Sequence, residues 1–180
     1  MEANMAYADV LELHRSAPRR DERVAKSSTL KGPAANAATM TAAASLLAYL
    51  GAAPLLAAAL TIVARPEHAP LAQGFLVLYG AALVIFFAGV RWGVAVMKPQ
   101  GPTMGGLVGA GAPFLAALPL FMPGPAEVKI AAIMVLIAVL LIDDLRATRS
   151  GDGAPAWYLG VRIPLTVLIE VSFLVALAAR

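Results

Sequence analysis

Two stretches of this sequence are too long and too apolar to be hidden inside a soluble domain of its size. Residues 41–64 and 71–90 contain no charged residue over 24 and 20 positions, and a helix of about 20 apolar residues crosses the ~30 Å hydrocarbon core of a bilayer. Of the 180 residues, 60% are hydrophobic and 14% are charged, whereas about 25% of a soluble domain is charged. The sequence therefore predicts an all-α integral membrane protein surrounded by the lipid bilayer.

Short polar turns that contain proline divide the apolar part of the chain, residues 39–180, into five predicted spans. These spans cover residues 41–64, 71–97, 103–122, 128–145 and 157–179. The fourth is unusual, because only 13 apolar residues lie between Lys129 and Asp143, and such a run extends about 20 Å as a helix. Either this segment re-enters on the side it came from, or the membrane takes in its charged ends as well. We expect a bundle of about five transmembrane helices.

The first 38 residues differ in composition from the rest of the chain. They are polar, and acidic and basic residues alternate with helix breakers. Such a segment cannot bury enough apolar surface to fold by itself, and it lacks the basic start, apolar run and small-residue cleavage site of a signal peptide. We predict that residues 1–38 form a disordered cytoplasmic tail, with Met40 as an alternative start codon in front of the first span.

The placement of lysine and arginine predicts the orientation of the spans. Basic residues concentrate in the cytoplasmic loops of membrane proteins. With five spans, one side of the membrane carries Lys26, Lys31, Lys98, Arg146 and Arg149, and the other carries Arg65, Lys129 and Arg180. This excess predicts a cytoplasmic N-terminus.

Four charged residues within three different spans are predicted to share one layer near the cytoplasmic surface. Arg91 lies close to the end of the second span, Arg162 close to the start of the fifth, and Asp143 and Asp144 at the end of the fourth. At 1.5 Å of rise per residue, both arginines lie about 10 Å deep or less. Ion pairs with the aspartates, with Asp143 first among them, would offset the cost of burying the arginines. The alternative is that each side chain reaches separately to the lipid headgroups.

Glu170 is predicted to lie near the middle of the fifth span. A charged carboxylate at that depth is costly, so the side chain is expected to be neutral or paired. One hypothesis makes it part of a proton or cation relay. The alternative is a hydrogen bond to a backbone carbonyl that Pro54 or Pro113 leaves without its helical donor.

Glycines spaced four residues apart predict places where helices approach each other closely. Such pairs are Gly89 with Gly93 and Gly105 with Gly109. Arg91 projects about 160° away from the first pair, at 100° per residue, so we expect the second helix to be packed on two sides. Pro54, in the middle of the first span, is expected to kink it.

The aromatic residues near the ends of the second and fifth spans fit a membrane interface. Trp92, Trp157 and Tyr158 all fall at the predicted cytoplasmic side, where tryptophan and tyrosine anchor helices at the headgroups. The alternative is that they form an aromatic box around a ligand.

The sequence offers little that is typical of an enzyme or a cofactor protein. It has no cysteine, and its two histidines, His14 and His68, lie outside the spans. Hydrolase, zinc-protease and nucleotide-binding motifs do not occur, and the spacing in DDLRATRSGDG does not suit a magnesium site. The net charge of +3 comes from scattered residues, which does not favour nucleic-acid binding. We therefore predict no enzymatic activity, no metal and no cofactor.

Two functions remain as hypotheses. The first is a non-enzymatic accessory or assembly component that acts through helix contacts, in a larger membrane complex or a homo-oligomer. The second is a small proton- or ion-coupled transporter that uses Glu170. A lipid-modifying enzyme ranks third.

The segment that ends in FFAGVRWG resembles the hallmark of the small membrane proteins grouped as domain of unknown function 3429, whose eukaryotic relative is transmembrane protein 69. In that hallmark a tyrosine and an apolar stretch precede phenylalanine, glycine, a basic residue and Trp-Gly. Those positions are held by Tyr79, Phe87, Gly89, Arg91, Trp92 and Gly93. Two further segments, LGAAP at 50–54 and PAWYLGVRIPLT at 155–166, are also similar to the family.

The resemblance covers about residues 42–180 and leaves the N-terminal tail outside. It implies a multi-span protein of bacterial inner membranes or of mitochondria. Because the role of the family is not established, it implies no catalytic residues. It does imply that the family's motifs include five residues of the predicted cytoplasmic layer, namely Arg91, Trp92, Trp157, Tyr158 and Arg162.

Overall fold

The computed structural model describes residues 33–151 and 153–179. Within these ranges the chain forms five α-helices and no β-strand. The helices are α1 (Pro33–Ala64), α2 (Ala69–Val96), α3 (Met104–Ala117), α4 (Ala126–Arg149) and α5 (Ala156–Ala178). Two short 3-10 helices, Pro66–His68 and Leu118–Phe121, precede α2 and follow α3. The predicted all-α fold is confirmed.

The helix α1 begins eight residues before the predicted first span. Its first turns, PAANAATM, combine a proline at the start with alanines, and both are favourable for a helix start. The predicted tail therefore overlaps α1 from Pro33 onward, and the prediction for residues 1–32 lies outside the described residues. The helical bundle lies within residues 44–180, one of the two units into which the chain divides by its internal contacts.

Prolines, glycines and one threonine set the ends of the helices. Thr103 caps α3, since its side chain accepts a hydrogen bond from the Gly106 amide at 3.2 Å. Pro125 and Pro155 directly precede α4 and α5. Gly101 and Gly151 have φ angles of 83° and 77°, a conformation that glycine adopts without strain.

Four helical segments are long and apolar enough to cross a membrane: Thr41–Ala64, Pro66–Val96, Met104–Phe121 and Trp157–Ala178. Of the described helices, α4 is the one that does not reach this composition. The reason is that its apolar run has only 13 residues and is bounded by the charged residues Lys129 and Asp143, as the sequence indicates. The chain is thus a membrane-type helical protein with one helix of mixed character.

The helix α4 has contacts at both of its ends. It runs in the same direction as α2, because Gly80 lies beside Ile133 and Arg91 lies beside Asp144. At one end, Lys129 donates a hydrogen bond to the Met122 carbonyl, just after α3. At the other end, Asp144 contacts Arg91 of α2. The helix is continuous over its 24 residues, about 36 Å, so the segment does not fold back on itself as a re-entrant loop would.

At the middle of the bundle, Gly80 of α2 allows α4 and α5 to pack closely against α2. A Cβ atom at Gly80 of α2 would lie 2.6 Å from Cζ of Phe173 in α5 and 3.1 Å from the side chain of Ile133 in α4. Only glycine therefore permits these three helices to meet at this level. On α4 the face toward the bundle consists of fully buried residues, Ile130, Ile133, Ile137 and Leu140.

Candidate functional site

Asp144 connects three helices through two arginines. Its Oδ1 accepts a hydrogen bond from Nη1 of Arg91 at 2.9 Å, and its Oδ2 accepts one from Nε of Arg162 at 3.2 Å. Asp143 adds a longer ion pair, with 3.6 Å between its Oδ2 and Nη2 of Arg91. The structure therefore brings together the four charged residues that the sequence predicts at one depth.

The burial of the four side chains shows which pair matters most. The side chain of Arg162 is 1% exposed and that of Asp144 is 11% exposed, whereas that of Asp143 is 35% exposed. The sequence interpretation put Asp143 first as the partner of the arginines, and the structure differs. Asp144 points into the bundle because it lies about 100° further round α4 than Asp143.

Arg162 is held by an aromatic ring as well as by Asp144. The central carbon of its guanidinium lies 3.4 Å from the centroid of the Phe87 ring, within the range of a cation–π interaction. Among the described residues, Nη1 and Nη2 of Arg162 are buried without a hydrogen-bond partner. Arg162 is therefore well packed but has hydrogen-bond donors to spare.

The glycines of α3 make room for Arg91. A Cβ atom at Gly109 would lie 3.3 Å from Nη2 of Arg91, and one at Gly106 would lie 3.4 Å from the Ala95 side chain. The predicted partner of Gly109 at the helix contact, Gly105, has nothing within 4 Å of a Cβ position. The close approach of α3 to α2 thus uses Gly106 and Gly109.

The glycine pair of α2 is not used inside the bundle. Nothing in the described residues lies within 4 Å of a Cβ position at Gly89 or at Gly93. The expectation that this face packs on another helix of the same chain is therefore wrong. The side of α2 that carries Arg91 does pack against α3 and α4, and the glycine side faces outward.

Tyr79 joins α2 to α1 beside Pro54. Its hydroxyl donates a 2.6 Å hydrogen bond to the carbonyl of Gly51. Gly51 lies three residues before Pro54, which has no backbone N–H and so interrupts the helical hydrogen bonds of α1. The sequence makes a carbonyl freed by Pro54 or Pro113 one alternative partner of Glu170. The carbonyl that Pro54 leaves without its helical donor is that of Leu50, one residue before Gly51. Tyr79 stands in the family hallmark, which was the signal available for it. Pro113, the other proline considered, lies buried within α3.

Glu170 is partly buried on α5 and does not join the charge network, the name used here for Arg91, Asp143, Asp144 and Arg162. Among the described residues its Oε1 is buried without a hydrogen-bond partner, as is Oγ1 of Thr166 one turn earlier. Arg162, Thr166 and Glu170 follow each other at intervals of four, so they lie along one side of α5. Sequence reasoning missed Thr166, although the spacing alone could have indicated it.

The three aromatic residues at this end of the bundle differ in exposure. Trp92 and Trp157 are 49% and 50% exposed, as suits residues in contact with a membrane interface. Tyr158 is partly buried, and its ring lies edge-on to that of Trp157 with 6.3 Å between centroids. It lines two cavities of the bundle.

Metal ligands are not gathered at any place in the described ranges, where no group of three or more histidine, cysteine, aspartate or glutamate side chains is positioned to hold an ion. Asp143 and Asp144 face two guanidinium groups, and a cation at the same oxygens would meet like charge.

The match to a family profile covers residues 40–178, and the family is described as protein of unknown function (DUF3429). The chain belongs to this family. The match confirms the resemblance carried by the Arg-Trp-Gly and Trp-Tyr segments, and it includes all five helices from residue 40 onward. No curated protein and no solved structure matches the chain significantly.

Proposed function

We propose that this membrane protein is a non-enzymatic accessory or assembly component that binds a partner protein within the membrane through the outer face of α2. The fold supports this proposal in two ways. The arginines and aspartates pair with one another and so stabilise the contacts between helices. The glycine pair of α2 is left over by that packing.

The outward glycines are the observation that carries the proposal. Gly89 and Gly93 lie one turn apart on α2, and nothing stands within 4 Å of a Cβ position at either one. Phe86 and Trp92 flank them and are 61% and 49% exposed. Glycines spaced four apart let the backbone of another helix approach closely, and aromatic side chains at the rim add contact area.

The partner that this face suits is a transmembrane helix of another protein. In lipid, helix association depends on van der Waals packing, and two glycines let the backbone of a partner helix approach closely. A partner helix with small residues of its own would form that contact. A second copy of this chain is the other outcome that the experiment below distinguishes.

The proposed location is a bacterial inner membrane with the N-terminus in the cytoplasm. The orientation is supported by the placement of Lys98, Arg146 and Arg149 at the end of the bundle that holds the charge network, while Arg65 and Lys129 lie at the other. Basic residues on the shorter loops are retained in the cytoplasm. The bacterial inner membrane is what the resemblance to the family implies.

The test is purification at native expression in mild detergent, with and without cross-linking in the cell. We expect the unaltered chain to be recovered in an assembly larger than itself, and the double variant Gly89→Leu/Gly93→Leu to be recovered alone. Gly74→Leu is the matched control, since Gly74 is an exposed glycine of the same helix with nothing within 4 Å. Recovery of the unaltered chain as a monomer under cross-linking would contradict the proposal, and recovery only with itself would make it a homo-oligomer.

A proton- or ion-coupled transporter is the second candidate, and one observation favours it. The polar row Arg162, Thr166 and Glu170 runs from the charge network toward the middle of α5 and holds buried polar atoms without partners in the described residues. Such atoms are satisfied by water when space allows. Proton and ion flux in reconstituted vesicles would be measured for the unaltered chain and for Glu170→Gln. Flux that the substitution abolishes supports transport, and equal flux in both removes this candidate.

A further inference from the structure

A groove between α1, α2 and α5 lies beside the charge network. It is named here the Arg162 groove, after the arginine in its wall. Its volume is about 440 Å³, within the range of about 300–1,000 Å³ that small-molecule sites occupy. Leu47 and Phe86 belong to its lining and are 69% and 61% exposed. The rim of the groove therefore lies on the outer surface of the bundle, where a molecule can enter from the lipid.

Arg162 is the charged residue in the lining of this groove. Its side chain is 1% exposed, and its Nε donates to Oδ2 of Asp144. Nη1 and Nη2 are buried without a hydrogen-bond partner among the described residues, and in a guanidinium these two nitrogens carry four of the five N–H donors. Buried donors without a partner are rare and costly. A molecule in the groove can supply the acceptor, with the side-chain adjustments that binding commonly brings.

The charge network favours an acceptor that carries no charge. Arg91 and Arg162 contribute two positive charges, and Asp143 and Asp144, which pair with them, contribute two negative charges. The network as a whole is therefore neutral. An anion next to Arg162 would add an uncompensated negative charge within the membrane, which is costly. A carbonyl oxygen accepts hydrogen bonds without adding a charge.

The depth of the groove favours a molecule with an uncharged headgroup. Arg162 lies five residues after the half-exposed Trp157, which places it about 8 Å further into the membrane than the interface. The groove continues along α5 to Ile169, about two helical turns deeper. A phospholipid that brought its ester carbonyl to Arg162 would draw its phosphate into the apolar layer, and a charge is expensive there.

The aromatic side chains of the groove favour a flat ring. Phe86, Phe87, Trp157 and Tyr158 all line it. The Phe87 ring is covered by the guanidinium of Arg162 at 3.4 Å. Aromatic side chains have large flat surfaces and a preferred geometry for contacts with other rings. A planar ring therefore gains more from these walls than a saturated acyl chain does.

We propose that the Arg162 groove binds the headgroup of an isoprenoid quinone, an uncharged membrane lipid with a planar ring and two carbonyl oxygens. One carbonyl accepts hydrogen bonds from Nη1 and Nη2 of Arg162. The ring lies against Trp157 and Tyr158, and the isoprenoid chain leaves the groove past Leu47 into the lipid. This site goes beyond the protein contact proposed for Gly89 and Gly93 and does not depend on it.

The experiment measures the quenching of tryptophan fluorescence by decylbenzoquinone, a quinone with a short saturated tail, in the purified full chain in detergent. The chain has two tryptophans, and of these Trp157 lines the groove whereas Trp92 does not. In Trp92→Phe we expect saturable quenching of Trp157 at one quinone per chain. In Trp157→Phe the quenching of Trp92 should only rise linearly with the quinone dissolved in the detergent. The chain has no cysteine, so the quinone cannot be consumed by a thiol.

Decylbenzene is the matched probe for the hydrogen bonds to Arg162. It has the same tail and a ring of similar size but no carbonyl oxygen. We expect it to displace decylbenzoquinone with an affinity about tenfold lower, because the hydrogen bonds to a charged donor are lost. This comparison changes the probe and leaves the groove unaltered, so it does not depend on the folding of a groove variant.

One pair of variants tests the donors. Arg162→Lys keeps a positive charge opposite Asp144 but lacks the planar fork of nitrogens, and it should weaken decylbenzoquinone about tenfold. Arg91→Lys makes the same change in the charge network outside the groove and should leave the affinity unchanged. Thermal unfolding of both variants in detergent checks that they are folded.

A second pair of variants tests the space. Ala48→Phe fills the groove from α1 and should abolish the saturable quenching. Ala53→Phe is its control, since Ala53 is exposed on α1 and does not line the groove.

Three results would overturn the proposal. Displacement by decylbenzene as effective as that by unlabelled quinone would show that the groove selects only for an apolar molecule. Displacement by phosphatidylglycerol at the same concentration would make the groove a site for ordinary phospholipid. Saturable quenching of Trp92 equal to that of Trp157 would place the quinone outside the groove. Each of these results leaves the proposed protein contact of α2 untouched, because that contact is tested by co-purification.

Discussion

The helices α1 and α4 are opposites in composition and in packing. The span within α1 is uncharged over 24 residues, yet large side chains such as Leu46, Leu47 and Leu60 are exposed by more than half. The helix α4 has charges at both ends and fails the composition of a span, yet four of its large apolar residues are fully buried. An apolar composition thus indicates a helix that contacts lipid. A helix enclosed by its neighbours can carry charged residues, because side chains of the neighbouring helices pair with them.

The physical reason for the difference lies in what each helix faces. Lipid is as apolar as leucine, so a lipid-facing helix needs only apolar side chains. A helix inside a bundle needs close packing and a partner for every polar group. In α4 the isoleucines provide the close packing, and Arg91 and Arg162 are the polar partners of Asp144.

The largest effect is expected from Asp144→Asn. It leaves Arg91 and the almost fully buried Arg162 without their shared carboxylate, and breaking a buried pair costs about 3–5 kcal/mol. We expect a clear fall in the thermal unfolding temperature in detergent. Asp143→Asn is the control, because that side chain is 35% exposed, and partly exposed pairs contribute about 0–1 kcal/mol.

A double-mutant cycle sharpens the same point. Arg91→Ala combined with Asp144→Asn should destabilise less than the sum of the two single changes, because the second change removes a charge that the first leaves unpaired. The coupling of Arg91 with Asp143 should be smaller, in keeping with their 3.6 Å separation. Strict additivity in both cycles would show that Arg91 extends to the headgroups and does not pair.

A medium effect is expected from Ile137→Ala in α4. Ile137 is fully buried, and truncation of a buried isoleucine costs about 2 kcal/mol or more through lost packing. The matched change in α1, Leu60→Ala, should be almost neutral, because Leu60 is 56% exposed and exchanges one apolar contact for another. Equal destabilisation, measured by unfolding in detergent, would contradict the contrast between the two helices.

The smallest effect is expected from Tyr79→Phe. The substitution removes the hydroxyl that donates to the Gly51 carbonyl at 2.6 Å, and a hydrogen bond of this kind contributes about 1 kcal/mol. Hydrogen exchange should increase in α1 around Gly51 and stay unchanged in α4. Tyr49→Phe, on an exposed face of α1, is the control. Faster exchange in α4 as well would mean that α1 supports the bundle more than its packing indicates.

The depth of the charged residues could be predicted from the sequence because the helical rise per residue is fixed. Arg91, Arg162 and the aspartates were placed in one layer by counting from the span ends. Which aspartate faces inward could not be predicted in this way. That choice depends on the rotation of α4 about its axis, which the packing of its isoleucines against α2 and α5 determines.

Close helix contacts were predicted less well than charges, for a physical reason. Glycine spacing shows where a backbone can be approached, but it does not show which neighbour approaches. Gly106 and Gly109 contact α2, whereas Gly89 and Gly93 face outward. The contact at Gly80 with Phe173 joins residues far apart in the chain, and no local pattern indicates it.

The most direct test of the contrast asks whether α4 crosses the membrane. The sequence has no cysteine, so single cysteines can be introduced into the full chain without background, as Gly124→Cys before α4 and Ser150→Cys after it. Both positions are exposed. A membrane-impermeant maleimide applied to intact cells should label the cysteine at 124 directly and the one at 150 only after permeabilisation. Labelling of both cysteines from the same side would show that α4 does not span the membrane. It would contradict the claim that α4 spans the membrane with its charged residues paired to neighbouring helices.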